Sequence, residues 1–200
     1  MRTDLQNWEP LTITEVSNLL ESIPVSWGIA GGWALDMHLG RKTREHADTD
    51  IVIFREDQQA VFQALRNEWQ FYKAKDGELA IWQDGEFLES VNDIWASRDG
   101  QAPWSFQLML MESEQDQWVY RREKSIQLPK ASLFSVEANN IPYLKPAIQL
   151  LHKAGSSHIR DKDVRDFQRV LPVLSSAEKA WLKDALQQQF PTGHSWIQKF

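Results

Sequence analysis

Residues 29–54 constrain the fold and the chemistry of this chain more than any other segment. They contain the pair Gly31-Gly32 and, after a spacer, Asp48 and Asp50, which lead directly into an apolar, β-type stretch. Side chains at positions i and i+2 of a strand point to the same face, so the two aspartates are expected to project together. Two carboxylates this close repel each other unless a cation lies between them, and hard oxygen ligands favour Mg²⁺.

The glycine pair suggests a phosphate-binding turn next to these acids. Glycine allows backbone N–H groups to approach a phosphate closely, and the helix expected from Trp33 would direct its positive N-terminal end at that phosphate. A tight turn alone would explain the glycines, and a solvated turn alone would explain the acids. Together they are typical of phosphoryl or nucleotidyl transfer.

The spacing of these motifs resembles that of the nucleotidyltransferase superfamily, and more closely that of its aminoglycoside and lincosamide nucleotidyltransferase group. The matching residues are Gly31-Gly32-Trp33-Ala34-Leu35-Asp36, Leu39-Gly40-Arg41, Thr43-Arg44, His46 and Asp48-Thr49-Asp50. They cover about an eighth of the chain. Thr49 stands where the group usually has an apolar residue, a change that a β-branched side chain tolerates.

The resemblance implies a metal-dependent nucleotidyltransferase. Such an enzyme would move a nucleoside monophosphate from a triphosphate, with ATP the expected donor, to a hydroxyl of a small molecule such as an aminoglycoside or a lincosamide. Mg²⁺ on Asp48 and Asp50 would neutralise charge at the α-phosphorus, and a second Mg²⁺ or a carboxylate base would assist the attacking hydroxyl. Asp48 and Asp50 are therefore the predicted catalytic and metal-binding residues.

The nucleotide-binding residues predicted beside the acids are Gly31, Gly32 and Arg44. A planar guanidinium can bind phosphate bidentately, and Arg44 lies between the glycines and the acids. Residues 141–154 resemble the first C-terminal helix of the group, and by this resemblance Lys153 would reach the nucleotide phosphates. The pair Asp163 and Asp166, three residues apart on one helix face, is equally consistent with a structural role.

The third carboxylate of the group has no obvious counterpart, and two positions compete for it. Glu89 lies thirty-nine residues after Asp50 in a segment that resembles the acid-bearing strand of the aminoglycoside enzymes. Gln107 also fits the expected strand order, but a neutral amide cannot act as a base and is a poor Mg²⁺ ligand. We predict Glu89 as the third catalytic residue. An exposed strand carboxylate is the alternative.

Composition limits the other classes of function. The net charge is −6, which argues against general binding to nucleic acid and suits either a cationic small substrate or mere solubility. No stretch approaches the roughly 18 apolar residues of a membrane span, and the polar N-terminus is not a signal peptide. The absence of cysteine is compatible with the cytoplasm, the predicted location. The oligomeric state stays open.

The pattern along the chain predicts an α+β (mixed α/β) fold with a mixed sheet flanked by helices. Residues 1–130 are the predicted nucleotidyltransferase-like domain, and residues 131–200 the helical C-terminal part, which begins after a polar, unpatterned segment near 131–140. Predicted strands cover 25–30, 48–54, 70–74, 79–82, 87–91, 105–111 and 118–121. The last of these ends in a basic run, Arg121-Arg122, which we interpret as a solvated edge.

Two rival functions stay open at this stage. The chain could be a nucleotide-binding or regulatory protein of the same fold that has lost catalysis, for example a partner in a toxin–antitoxin pair. It could also transfer the nucleotide to a protein or to an RNA end, although the net acidity makes RNA the weakest candidate unless a local basic groove exists.

Overall fold

A computed structural model describes residues 2–136 and 140–200 of the chain. Its helices are α1 (Ile13–Leu20), α2 (Gly31–His38), α3 (Gln58–Leu65), α4 (Pro146–Ala154), α5 (Asp161–Val170) and α6 (Ser176–Gln189). Its strands are β1 (Trp27–Ile29), β2 (Asp50–Phe54), β3 (Gln70–Lys75), β4 (Glu78–Ile81), β5 (Asp93–Ser97), β6 (Trp104–Glu114), β7 (Gln117–Val119), β8 (Gln127–Pro129), β9 (Phe134–Val136) and β10 (Pro142–Leu144). This mixture of helices and strands confirms the predicted fold class.

The strands form one mixed sheet in the order β4-β3-β5-β6-β2-β1-β10-β9. The pairs β2–β6 and β1–β10 are parallel, and the other neighbours along this order are antiparallel. The long strand β6 extends past this sheet at its C-terminal end, where it pairs with β7, and β7 pairs with β8. Because β2 lies between β6 and β1, the acid-bearing strand is in the interior of the sheet.

The two faces of the sheet are covered by different helices. In β2, Ile51 and Ile53 pack in the core with α1 and α3, while Val52 and Phe54 pack in a second core with α4, α5 and α6. This strict alternation follows from the two-residue period of a strand. Asp50 shares the parity of Val52, so its side chain lies on the face toward the C-terminal helices.

Local sequence signals explain several of these elements. Thr12 and Glu15 form the predicted capping box at the start of α1. Asp76 and Gly77 both have positive φ angles (53° and 81°) in the turn between β3 and β4, as a tight hairpin turn requires. Gly77 accepts this conformation without steric cost because it lacks a Cβ atom.

Two predicted elements are wrong in position. Residues 87–91 do not form a strand, and β5 instead begins at Asp93, where Ile94 and Ala96 alternate into the core. In the C-terminal part, Pro142–Leu144 is a strand that pairs with β1 and β9, and α4 begins only at Pro146. The segment 131–200 is therefore helical only after it has contributed two strands to the sheet.

The expected boundary segment near 131–140 includes residues 137–139, which lie outside the described residues. Within the described ranges, no helix has the length and apolar character needed to cross a membrane.

Candidate active site

A cleft of about 310 Å³ lies between the sheet and the C-terminal helices. Its lining includes all six of the predicted nucleotide- and metal-binding residues, namely Gly31, Gly32, Arg44, Asp48, Asp50 and Lys153. These residues come from β2, the start of α2, the loop between them and α4. The structure thus brings together all of the predicted site residues except Glu89.

Asp50 is half-buried at the start of β2. A Cβ atom at Gly31, whose φ is +64°, would overlap the Asp50 carboxylate, so this approach requires glycine. Burial, together with the neighbouring charge of Asp48, raises the pKa of Asp50 to about 7. The charged form of Asp50 is therefore unfavourable, and a bound cation would stabilise it.

The donor set at this place fits a hard cation only in part. Carboxylate oxygens are suitable ligands for Mg²⁺, and Asp48 and Asp50 line the same cleft. Within residues 2–136 and 140–200, however, no three His, Cys, Asp or Glu side chains converge closely enough to hold a metal by themselves. Mg²⁺ usually keeps several waters and binds through one or two carboxylates plus substrate phosphates, so two acids are compatible with it.

The third carboxylate in the cleft is Asp93, and the prediction of Glu89 is wrong in position. Glu89 is exposed and lines a separate surface pocket with Lys73 and Lys75. Asp93 opens β5 and lines the same cleft as Asp48 and Asp50. The sequence does carry a signal for it, because Ile94 and Ala96 are the core-facing positions and Asp93 has the opposite parity.

Gln107 lies between the two acid-bearing strands instead of replacing an acid. It is opposite Asp50 in the β2–β6 pairing, and its Nε2 donates a hydrogen bond of 2.9 Å to Oδ1 of Asp93. Burial raises the pKa of Asp93, while the charge of Arg121 and the bond from Gln107 act in the opposite direction. A carboxylate with a raised pKa is a better proton acceptor than an ordinary aspartate.

The predicted phosphate-binding turn is built differently from expectation. The Gly31 N–H donates a buried hydrogen bond of 2.8 Å to Oε1 of Gln149 in α4, so it is already paired. A side chain at Gly32 would overlap Arg44 and His46, which pack against its backbone. Glycine at these two positions therefore leaves room for Asp50 and for the loop side chains Arg44 and His46. The backbone N–H groups at the start of α2 that stay available to a phosphate are those after Gly31.

The loop that carries Arg44 and Asp48 is held by Asp36 of α2. Its carboxylate accepts hydrogen bonds from the Thr43 N–H (3.0 Å) and hydroxyl (2.6 Å), and His46 Nε2 lies 2.6 Å from it. Burial lowers the pKa of His46, and its ring packs 4.3 Å from that of Trp33. Asp36 and His46 therefore connect the helix to this loop.

A buried ion-pair cluster joins this loop to the C-terminal helices. Lys153 Nζ lies 2.8 Å from Asp163 and 3.0 Å from Asp166, and Arg44 binds Asp166 through two nitrogens (3.1 and 3.3 Å). Although burial opposes it, hydrogen bonds from Arg160 and Lys153 hold the pKa of Asp163 well below its usual range. Lys153 and Arg44 therefore reach the cleft from fixed positions.

Other cleft residues were not identified as site residues from the sequence. They are Asn92, Gln149, His152, Arg160, Lys162, Arg121 and Arg122, together with the apolar wall formed by Met109, Met111, Trp118 and Leu144. Burial lowers the pKa of Lys162 and lowers that of His152 to about 3. The basic run Arg121-Arg122, interpreted from the sequence as a solvated edge, is exposed and also lines the cleft.

Comparison with known proteins agrees with this arrangement. Residues 12–79, about a third of the chain, match a family model described as aminoglycoside-2''-adenylyltransferase. No curated protein sequence matches significantly. The solution structure of the antibiotic-resistance factor ANT(2'')-Ia aligns over 90% of this chain and 93% of its own, with 14% identity and a TM-score of 0.58.

Two further solved structures share the fold. The lincomycin-bound lincosamide antibiotic adenylyltransferase LnuA aligns over 83% of this chain and 100% of its own, with 17% identity and a TM-score of 0.57. An antigenic nucleotidyltransferase-like protein from Paracoccidioides brasiliensis aligns over 90% of this chain and 86% of its own (14% identity, TM-score 0.51). At these identities the solved structures show a shared fold, and with the family model over residues 12–79 they confirm the resemblance to the aminoglycoside and lincosamide nucleotidyltransferase group.

Proposed function

We propose that this protein is a Mg²⁺-dependent adenylyltransferase that moves AMP from ATP to a hydroxyl of a small molecule, the class to which aminoglycosides and lincosamides belong. The observation that carries the proposal is that three acids, Asp48 in the loop before β2, Asp50 in β2 and Asp93 in β5, line one cleft together with Lys153 of α4 and Lys162 of α5. We expect the reaction in the cytoplasm, where ATP and Mg²⁺ are supplied.

In this proposal, Asp48 and Asp50 hold the metal, which neutralises charge on the triphosphate when it is bound. Arg44, Lys153 and Lys162 bind phosphate oxygens from the opposite side of the cleft. Lys153 keeps its contacts with Asp163 and Asp166, so it presents one of its three ammonium hydrogens to the nucleotide.

Asp93 has the remaining chemical role, as the base for the acceptor. The acceptor oxygen forms a bond to the α-phosphorus, the bond to pyrophosphate breaks in line with it, and the hydroxyl proton moves to Asp93. Gln107 orients this carboxylate by its hydrogen bond to Oδ1, which leaves Oδ2 to face the acceptor.

The main rival is a nucleotide-binding or regulatory protein that lacks turnover. The comparisons do not favour it, and the presence of Asp93 removes the argument that rested on a missing third acid. Transfer to a protein or to an RNA end is a weaker alternative, which the acceptor experiment below also examines.

The decisive experiment supplies purified protein with α-labelled ATP and a panel of hydroxyl-bearing small molecules, with Mg²⁺ or with EDTA. We expect a Mg²⁺-dependent labelled adduct and equimolar pyrophosphate, with the site of attachment found by mass spectrometry. ATP binding that is unaffected by EDTA and unaltered by Asp50→Asn would remove the proposed metal site. Mg²⁺-dependent ATP binding without any adduct would favour the rival.

A further inference from the structure

The two ends of the cleft differ in the cations around them, and they meet where the charges of Asp50 and Asp93 act on each other. At one end, Asp48 and Asp50 interact with Lys153, Arg160 and Lys162. At the other end, Asp93 interacts with Arg121 and Arg122, whose charges also act on His152. We call these the lysine end and the arginine end. In the proposed reaction the triphosphate binds at the lysine end, where the metal-binding acids and the phosphate-binding cations lie.

The arginine end is therefore the place for the acceptor. The attacking hydroxyl must contact the base that takes its proton, and that base is Asp93. Any group attached to this hydroxyl lies close to Arg121 and Arg122. Both arginines line the cleft, and within the described residues neither makes an ion pair; Arg122 donates a hydrogen bond of 3.3 Å to the Tyr120 hydroxyl and lies over the Tyr120 ring, 5.9 Å from its centroid.

Each carboxylate of the cleft already has a proposed role in the reaction or an ion-pair partner. Asp48, Asp50 and Asp93 serve the metal and the base in the proposed reaction, and Glu112 is paired with Arg55 at 2.6 Å. No other acid is among the described lining residues. A molecule with several ammonium groups would thus meet two guanidinium groups that lack a close ion-pair partner, and no free carboxylate, an arrangement that costs binding energy.

A second feature of the arginine end points to a bound ligand. Nε2 of His152 is buried and has no hydrogen-bond partner within the described part of the chain, although the residue lines the cleft. Its ring packs against Trp118 and Tyr120, with centroids 5.9 and 5.1 Å apart. A buried polar atom without a partner is unfavourable, and a polar group of the acceptor would satisfy it.

We propose that the acceptor is a hydroxylated small molecule with a negatively charged group, such as a carboxylate or a phosphate, and not a polycation. This inference rests on the proposed function and adds the charge of the acceptor to it. Arg121 and Arg122 bind the anionic group, since a guanidinium pairs bidentately with both carboxylate and phosphate. The net charge of −6, which suits a cationic substrate, does not describe this end of the cleft.

The test compares acceptors that share a scaffold and differ in charge. Wild-type protein with Mg²⁺ and α-labelled ATP is given glucuronate, glucose 6-phosphate, glucose, glucosamine, tobramycin and a short RNA. We expect kcat/KM for at least one of the two anions to exceed that for glucose at least tenfold. Faster labelling of glucosamine, tobramycin or RNA, or no labelling of either anion, would overturn the inference.

Two variants show whether the arginines are responsible. In Arg121→Glu/Arg122→Glu we expect the preference to shift toward glucosamine, with KM for the anion raised at least tenfold. Affinity for Mg²⁺ and a non-hydrolysable ATP analogue should change less than twofold. A tenfold loss of analogue affinity would show that the arginines bind the triphosphate, and so would contradict the inference.

The control variant Lys73→Gln/Lys75→Gln removes two positive charges from the separate pocket around Glu89. It should keep the wild-type acceptor preference, and a similar shift in this variant would attribute the effect to overall charge. Failure of the proposed function looks different from failure of the inference, because it would abolish labelling of every acceptor together with Mg²⁺-dependent binding of the analogue.

Discussion

Gln107 and Asp93 are joined by a hydrogen bond of 2.9 Å from the amide Nε2 to the carboxylate Oδ1. Gln107 is the neutral residue opposite Asp50. Its amide cannot act as a base, but through this bond it can orient one. The acid of this region that lines the cleft therefore belongs to β5, and the amide of β6 fixes its direction.

The first prediction concerns this acid. Asp93→Asn should lower kcat about a hundredfold or more, the usual contribution of a general base, while affinity for the nucleotide changes little. Steady-state kinetics and equilibrium binding of an ATP analogue measure the two effects. Glu89→Gln serves as the control, since Glu89 is exposed in another pocket, and it should keep wild-type kcat. Equal losses in the two variants would refute the assignment of Asp93.

The second prediction uses two glycines with the same backbone angle. Gly31 and Gly40 both have a φ of +64°, but a Cβ atom would overlap Asp50 at Gly31 and would meet nothing within 4 Å at Gly40. Gly40→Ala should cost about 1–2 kcal/mol of stability from the backbone alone. Gly31→Ala should cost more and should also weaken nucleotide binding. Chemical denaturation and analogue binding compare them, and similar behaviour of both variants would contradict the close approach of Asp50.

The third prediction concerns pH. The pKa of Asp50 is about 7 in the folded, metal-free protein, above the value of about 4 expected in the unfolded chain. Protonated Asp50 is thus favoured by folding. Its contribution to stability is fully present below about pH 4 and is lost as the pH rises through 7.

Asn cannot ionise, so Asp50→Asn should be more stable than wild type at pH 8 in EDTA, by on the order of 2–4 kcal/mol, and similar to it near pH 4. Urea denaturation at the two pH values measures this difference. Mg²⁺ should stabilise the wild type at pH 8 and not the variant, which should also have lost turnover. A variant that is less stable than wild type at pH 8 would argue against a buried, destabilised carboxylate.

The fourth prediction separates a buried ion pair from an exposed one. Lys153 is 6% exposed and lies between Asp163 (0%) and Asp166 (4%), so Lys153→Met would leave these two buried carboxylates with only Arg160 and Arg44 to balance them. We expect a loss of about 3–5 kcal/mol in the free energy of unfolding, together with weaker nucleotide binding.

Lys42→Met is the matched control, because the Lys42–Glu45 pair is 45% and 91% exposed and should contribute little to stability. Denaturant titration of both variants gives the comparison. If Lys153→Met were no more destabilising than Lys42→Met, the ion-pair cluster would not join the loop to the helices as described.

Short-range patterns were sufficient to predict much of this protein. The alternation in β2 and the capping box of Thr12 and Glu15 depend on neighbouring residues, and both are present in the structure. Asp93 was missed because residues 87–91 were interpreted as the strand, which placed the acid one segment too early. Its correct position is set by pairing with β6, a contact between distant parts of the chain.

The partners of Lys153 and Arg44 also could not be predicted from residues that are close in the sequence. The contacts of Asp166 with Lys153 and Arg44 link three elements, namely the loop before β2, α4 and α5. The Gly31 N–H donates its hydrogen bond to Gln149, which lies 118 positions later in the sequence. Similarly, residues 142–144 are followed by a helix and have a weak pattern of their own, yet they become a strand because β1 offers a parallel edge. Each of these outcomes depends on the arrangement of whole elements.

The parallel pairing of β1 with β10 has a consequence for biosynthesis. During translation, the glycine and aspartate motifs emerge from the ribosome long before Pro142–Leu144, the segment that completes the neighbouring position in the sheet. Until then β1 has an open edge, and the acids of β2 lack the lysine and arginine side chains that face them. A nascent chain therefore carries the recognisable motif without a competent site until α4 and the start of α5 have been synthesised.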